Sequence, residues 1–402
     1  MDKKTYQVYI SLNGADILVG SLISQVKGRQ ETAAFQYAQS WLASPRGFAL
    51  SPDLPLAPGM FFAKGKMFGV FEDCAPDRWG RTLMARYERE RAANPKTLNE
   101  IDYIVRVNDF ARQGALRFKE ADGGEFLAPS GINAVPPLVR LPELLSAADA
   151  VLENTDTDND LALLLAPGSS LGGARPKASV IDDSGHLCIA KFPKRDDSLR
   201  VVAWEAVALE LAEQCGFDVP HFALRNINSS DVLIIRRFDR SSGGRIPFAS
   251  AMTMLGATDN DERIYNYTEI ADFITQYGSH PNSDLPELWK RIVFSILISN
   301  TDDHLRNHGF LYDGRGWTLS PIYDINPSAY KTDMLHTAIA DDNNEATIEN
   351  ALQYAEYFRL NDAEAKKIVD NMKAVVRNWV HTARRYGLSQ VEINRMTPAF
   401  KV

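Results

Sequence analysis

A chain of 402 residues is long enough for two or three domains with sizeable cores. Its hydrophobic content of 45% and charged content of 24% are ordinary for a globular protein and exclude a disordered or fibrous chain. A formal charge of −8 excludes broad electrostatic binding to nucleic acid by this chain alone, and three cysteines without a C-x-x-C pair give neither a disulfide framework nor a zinc site. The N-terminal MDKKTYQVYISLNG lacks an apolar signal core, and no run reaches about eighteen apolar residues, so a cytoplasmic protein without membrane contact is expected.

Residues 6–22 alternate in polarity around Asn13-Gly14, the pattern of a β-hairpin. A strand at Phe35–Tyr37 follows, and Asp77 in Pro76-Asp77-Arg78-Trp79-Gly80-Arg81 is placed to cap a helix running to about Ala93. A helix over Leu98–Val107 and a strand over Gly114–Phe118 complete an α+β domain with its own core, residues 1–127. The Pro- and Gly-rich segment after Ala128 reads as a linker. Two further segments follow, 138–237 and 238–402, the second mostly helical. Within the first of them a helix opens at Pro142 and the Asp/Asn-rich tract Asn154–Asp160 reads as a solvated loop.

A Gly/Ser-rich loop, Gly168–Lys177, precedes a strand at Ala178–Ile181. Such a loop exposes backbone N–H groups that hold phosphates, although Ala174 stands where a Walker loop has its lysine. The next strand, Leu187–Pro193, carries Lys191 at the end of an apolar run, an unusual place for an ammonium. On the helix Leu199–Gln214, Glu205 lies among Val202, Ala206 and Leu209 and is the expected partner of Lys191; a surface position for Glu205 is the other reading. A strand over Val232–Arg240 then lies where a hinge between a β-rich and a helical half would bond an adenine edge. Helices are expected at Tyr267–Tyr277, Pro286–Ser299 and Asp362–Tyr386, the last with Asn361 and Glu364 spaced as a capping box.

The densest chemistry lies between Phe294 and Pro327. A buried helix ends at Asn300-Thr301-Asp302-Asp303-His304, and a hairpin from Gly309 to Tyr323 returns the chain so that Asp324 falls near Asp302–Asn307. An Asp and an Asn five residues apart, with a later Asp on a hairpin end, is the set that phosphoryl transfer uses to orient a hydroxyl and hold Mg²⁺. Two rival readings stand: acids that cap a helix end, and a metal hydrolase site built on His304 and His308.

The order Ser170-Leu171-Gly172-Gly173-Ala174-Arg175-Pro176-Lys177, Lys191, Arg237-Phe238-Asp239-Arg240, Asn300-x-Asp302-x-His304-x-x-Asn307 and Ser320-Pro321-x-Tyr323-Asp324 resembles the HipA family, serine/threonine kinase toxins of bacterial toxin–antitoxin modules. The first ~120 residues are similar to that family's N-terminal domain. The resemblance implies an α+β, protein-kinase-like bilobal fold with a β-rich N-terminal domain and small lobe and a mainly helical C-terminal lobe. It implies ATP and Mg²⁺ as cofactors, Asp302 as catalytic base, Lys191 on the phosphates, and Asn307 and Asp324 on the metal. It assigns nucleotide contacts to Ser169, Ser170, Leu171, Gly172, Gly173, Lys177, Arg237, Phe238 and His304, with autophosphorylation of Ser170 and Ser169 in reserve. It implies a small helix-turn-helix antitoxin as partner, DNA contact only through that antitoxin, and a translation component such as an aminoacyl-tRNA synthetase as substrate. Two places depart from the family: Arg236 stands where other members carry an acidic residue, and Arg175-Pro176 alters the loop. A small-molecule kinase, or a co-repressor without catalysis, are the alternative functions.

Overall fold

The structure, a computed structural model, describes residues 2–28, 30–92, 94–128, 135–168, 175–242, 244–259, 261–329, 333–341 and 343–402. The N-terminal hairpin forms as its turn residues dictate: β1 (Asp2–Leu12) pairs antiparallel with β2 (Ala15–Lys27) around Asn13 and Gly14, both at positive φ. With β3 (Gln30–Tyr37), β4 (Met60–Phe62) and β5 (Leu116–Glu120) it makes a sheet in the order β4-β3-β2-β1-β5. Tyr6, Val8 and Ile10 alternate into the core on β1. The β1–β2 register shifts between Val8 and Tyr9, opposite Gly20. A Cβ on Gly20 would lie 2.3 Å from the Gln36 carbonyl and 2.7 Å from the Phe35 ring. Gly20→Ala is therefore expected to destabilise the fold by about 1–3 kcal/mol, the usual cost of overpacking, read as a lowered urea midpoint.

Four short or medium helices join these strands: α1 (Gln39–Leu42), α2 (Gly69–Glu72), α3 (Arg78–Arg91) and α4 (Glu100–Arg106). Asp77 caps α3 as its position suggested, accepting from Gly80 N. The module is not sealed on itself, however. Trp79 and Leu83 of α3 share a core with α5 (Leu141–Glu153), α6 (Asp158–Gly168) and the second sheet. The start of α6, residues 158–160, was expected as part of a solvated loop. Thr157 and Asp160 bond reciprocally across the helix start, so the second half of the acidic tract caps a helix, while Asn154 at positive φ ends α5.

The second sheet runs in the order β6-β7-β9-β8, from β6 (Lys177–Ile181), β7 (Leu187–Lys191), β8 (Phe222–Ile227) and β9 (Ser230–Arg236), all antiparallel. α7 (Val201–Gln214) covers one face, with Val202, Trp204 and Leu209 buried. β9 stops at Arg236 rather than Arg240, because Arg237 and Arg240 both turn their guanidinium groups onto Asp239. A two-residue pair, β10 (Arg240–Ser241) and β11 (Gly244–Arg245), follows.

The third sheet, β12-β13-β14, joins β12 (Phe248–Ser250) to the hairpin β13 (Gly309–Tyr312) and β14 (Trp317–Leu319). Helices surround it: α8 (Ala251–Met254), α9 (Tyr267–Tyr277), α10 (Pro281–Leu297), α11 (Ile348–Gln353), α12 (Asp362–Val376), α13 (Trp379–Arg385) and α14 (Gln390–Met396). α10 begins at Pro281, a turn earlier than expected, since a proline at the first position has its φ already set. The expected helix over 362–386 breaks at Arg377-Asn378, and the break lets Trp379 stack on Phe400 at 4.2 Å. The capping box of Asn361 and Glu364 is present. Among the described residues no helix is long and apolar enough to cross a membrane.

Candidate active site

Lys191 ends β7, and its burial is resolved by two carboxylates. Its Nζ donates to Glu205 Oε1 at 2.5 Å and to Asp324 Oδ1 at 2.8 Å. Glu205 is buried on the face of α7 turned to the sheet, so the partner expected from helical spacing is the one found. Burial alone would push the Lys191 ammonium down; Asp324 and Glu205 outweigh it, and the group is raised. Burial pushes the Glu205 carboxyl up, with Lys191 opposing. Asp324 is held well below the carboxylate range, its burial overcome by Lys191 and Lys177. Its side chain is 38% exposed, and its backbone sits at φ 55°, a region Asp tolerates better than most residues.

The two acids after α10 part company. Asp303 points into the core, where it accepts from Tyr267 Oη and from Ser295 Oγ at 3.3 Å and lies 3.2 Å from His308 Nε2. Its backbone carbonyl accepts from Thr337 Oγ1 at 2.7 Å. Asp303 is therefore a buried structural acid that meets side chains, not the cap on backbone groups of the helix-end reading. Asp302 is turned to solvent. The Asn307 amide is buried beside it, Nδ2 donating to the Asp302 carbonyl at 3.5 Å, which turns Oδ1 away from that carbonyl.

Two bonds draw Asp324 to this loop. Tyr323 Oη donates to the Arg306 carbonyl at 2.6 Å, and Asn326 N donates to Asn300 Oδ1 at 3.2 Å. The chain thus returns on the hairpin its turn signal suggested, but β14 stops at Leu319 rather than Tyr323, and these two bonds carry the last stretch. Phe238, half-buried, lies 5.4 Å from Tyr323 and 6.2 Å from Phe248, an aromatic wall next to the Asp324 segment. His304 is half-buried.

The hydrolase arrangement is not present. His308 is 2% exposed and taken up by Asp303, so it does not stand with His304 as a second ligand. Among the described residues no three His, Cys, Asp or Glu side chains form a metal-holding cluster. The oxygens of Asn307 and Asp324 are a different donor set, two hard ligands of the kind Mg²⁺ accepts when phosphates and water supply the rest.

The remaining assigned positions divide. Ser169, Ser170, Leu171, Gly172 and Gly173 lie outside the described residues. Lys177 sits opposite Lys191 across the β6–β7 ladder. Arg237 is not brought to the cleft: its guanidinium is buried, bonded to Asp239 and to the carbonyls of Ala111 and Arg112 in the N-terminal module. The sequence showed Arg237 inside the expected strand Val232–Arg240, and only the resemblance made it a nucleotide contact. Two residues that shape the site were missed: Asn300 as the latch on Asn326, and Asp77 as the partner of Lys177 at 3.0 Å. An amide at a helix end gives Asn300 a signal; nothing local gives one for Asp77.

A four-stranded antiparallel sheet with a Lys–Glu pair, set on a helical lobe with an Asp/Asn loop and a returning Asp, defines a bilobal, protein-kinase-like α+β protein. Residues 10–106 match the HipA N-terminal domain and residues 169–379 the HipA-like C-terminal domain. The chain belongs to the HipA family. A Haemophilus influenzae protein named "Putative kinase" is 27% identical over 222 residues, covering 47% of this chain and 64% of that relative, under two thirds of its length. "Putative kinase Y4mE" of Sinorhizobium fredii is 24% identical over 335 residues, 76% of this chain and 75% of the relative. A chain of the Shewanella oneidensis MR-1 toxin–antitoxin complex of HipA, HipB and operator DNA shares the fold, with a TM-score of 0.66 at 17% identity over 98% of this chain and 94% of that one.

Proposed function

We propose that the protein is an ATP- and Mg²⁺-dependent protein serine/threonine kinase. The observation that carries the reading is the buried Lys191 ammonium held between Glu205 and Asp324, beside the loop that presents Asp302 and Asn307. In this reading Lys191 binds phosphate oxygens and Glu205 keeps it extended toward them. Asp302, free in solvent, orients the attacking hydroxyl and accepts its proton. Asn307 and Asp324 would hold Mg²⁺, which when bound neutralises charge on the phosphates. The Ser169–Gly173 loop would cover the phosphates, with Ser170 as the modified serine and Ser169 the reserve. A helix-turn-helix antitoxin is the proposed partner, with DNA reached only through it, since the Shewanella chain shares this fold and belongs to a complex with HipB and operator DNA. A translation component such as an aminoacyl-tRNA synthetase is the proposed substrate.

Calorimetric titration with ATP at rising Mg²⁺ tests the metal assignment. Asp324→Asn keeps the shape but weakens both the metal ligand and the Lys191 contact, so Mg·ATP affinity is expected to fall by about ten-fold or more, the scale of one lost charge-assisted contact. An unchanged affinity removes Asp324 from the metal site.

A further inference from the structure

The N-terminal module and the Lys191 sheet meet where α3 begins. Asp77 Oδ1 accepts from Gly80 N at 2.8 Å, an ordinary helix cap. Its other oxygen does something a cap does not require: Oδ2 accepts from Lys177 Nζ at 3.0 Å, with the two side chains only 7% and 5% exposed and 100 residues apart in sequence. Two positions on, Trp79 Nε1 donates to the Lys177 carbonyl at 3.1 Å. Trp79 and Leu83 pack with Ala178, Val180, Ala190 and Phe192, the residues that alternate with the two lysines on β6 and β7. One helix start therefore grips both the side chain and the backbone of Lys177.

Lys177 and Lys191 are directly paired across the ladder, so their side chains leave the same face of the sheet. Two ammoniums at that spacing repel, and each buried one needs a carboxylate. Lys191 has Glu205 and Asp324; Lys177 has Asp77. Both Glu205 and Asp324 already feel the Lys177 charge. Without Asp77, these are the acids to which Lys177 would turn.

We propose that Asp77 is a positioning residue of the kinase site: by holding Lys177 at the start of β6 it leaves Asp324 available for the metal, and it makes the N-terminal module a working part of the nucleotide cleft. This inference rests on the kinase reading of that cleft.

Asp77→Asn keeps the helix cap and the volume while removing the charge. Nucleotide binding is measured at fixed ATP over a Mg²⁺ series, alongside thermal unfolding. The Mg²⁺ concentration for half-maximal binding should rise about ten-fold, the effect of one misplaced charge-assisted contact, while binding without Mg²⁺ does not fall. Asp77→Glu keeps a carboxylate within reach of Lys177 and should leave the midpoint near the wild-type value. A purely structural loss would lower affinity at every Mg²⁺ concentration. An unshifted midpoint in Asp77→Asn, or a midpoint in Asp77→Glu shifted as far as in Asp77→Asn, overturns this inference alone. A wild type without Mg²⁺-dependent ATP binding overturns the kinase reading with it. Should Asp77→Asn not fold, lysine acylation of the wild-type protein decides: Lys177 should stay unmodified while exposed Lys66 and Lys366 react, and equal labelling contradicts the proposal.

Discussion

Replacing Asp302 with alanine is expected to lower phosphoryl transfer by about 10³-fold, within the usual range for losing a general base, while Mg·ATP affinity stays within a few-fold. The prediction follows from how the two acids after α10 are divided. Asp303 is buried, bonded to Tyr267 and Ser295 and 3.2 Å from His308 Nε2, so its loss would act on folding. Asp302 faces solvent, so its loss should act on chemistry alone. On the proposed reading, binding depends instead on Lys191, Asn307 and Asp324. Turnover with a protein substrate and parallel calorimetry check the split; wild-type turnover in Asp302→Ala removes it as the base.

Asp239→Ala is expected to cost about 3–5 kcal/mol of stability, the penalty for leaving buried charges unpaired. Asp239 accepts from Arg237 Nε at 2.8 Å, from Arg240 Nη1 at 2.7 Å and from Gly114 N at 2.8 Å. The two guanidiniums in turn hold the carbonyls of Phe110, Ala111, Arg112 and Gly114. Removing the carboxylate strands Arg237, 3% exposed, and loosens the N-terminal module from the segment after β9. Burial alone would push the Asp239 carboxyl up, but Arg237 and Arg240 hold it well below the carboxylate range. A depressed folded value means that this contribution is complete above the unfolded Asp pKa of about 3.9 and is lost only as pH falls below it. Urea unfolding at neutral pH should show the full deficit, and the difference between wild type and variant should narrow in acid. A midpoint equal to wild type at neutral pH contradicts the network's role.

What could be read in advance was whatever the chain encodes locally. Asn13-Gly14 specified its hairpin, Asn361 and Glu364 their cap, and the spacing of Glu205 among apolar residues its turn toward Lys191. The Asp313-Gly314 turn signalled the returning hairpin, but the pairing ends at Leu319, and the bonds of Tyr323 and Asn326 that carry Asp324 on to the loop were not legible. Long-range pairing was not legible. Asp77 announced a helix cap and gave no sign of Lys177, since one oxygen does each job. Arg237 looked like a ligand for nucleotide and is instead an interface residue, because only the packed fold brings Ala111 and Arg112 beneath it. The helix α6 was hidden by acidic residues that cap as readily as they solvate. The choice between Asp302 and Asp303 rested on a five-residue spacing, whereas the physical difference between them is burial, which adjacent identical residues do not reveal.

On the proposed reading, Lys191, Asn307 and Asp324 enclose one Mg·nucleotide site. Crystals grown with a non-hydrolysable ATP analogue and Mn²⁺ in place of Mg²⁺ test it most directly, because anomalous scattering locates the metal independently of the phosphates. An anomalous peak shared by the Asn307 amide oxygen and the Asp324 carboxylate is expected, with Lys191 against the phosphates. A nucleotide bound away from Lys191, or a metal held without Asp324, would contradict it.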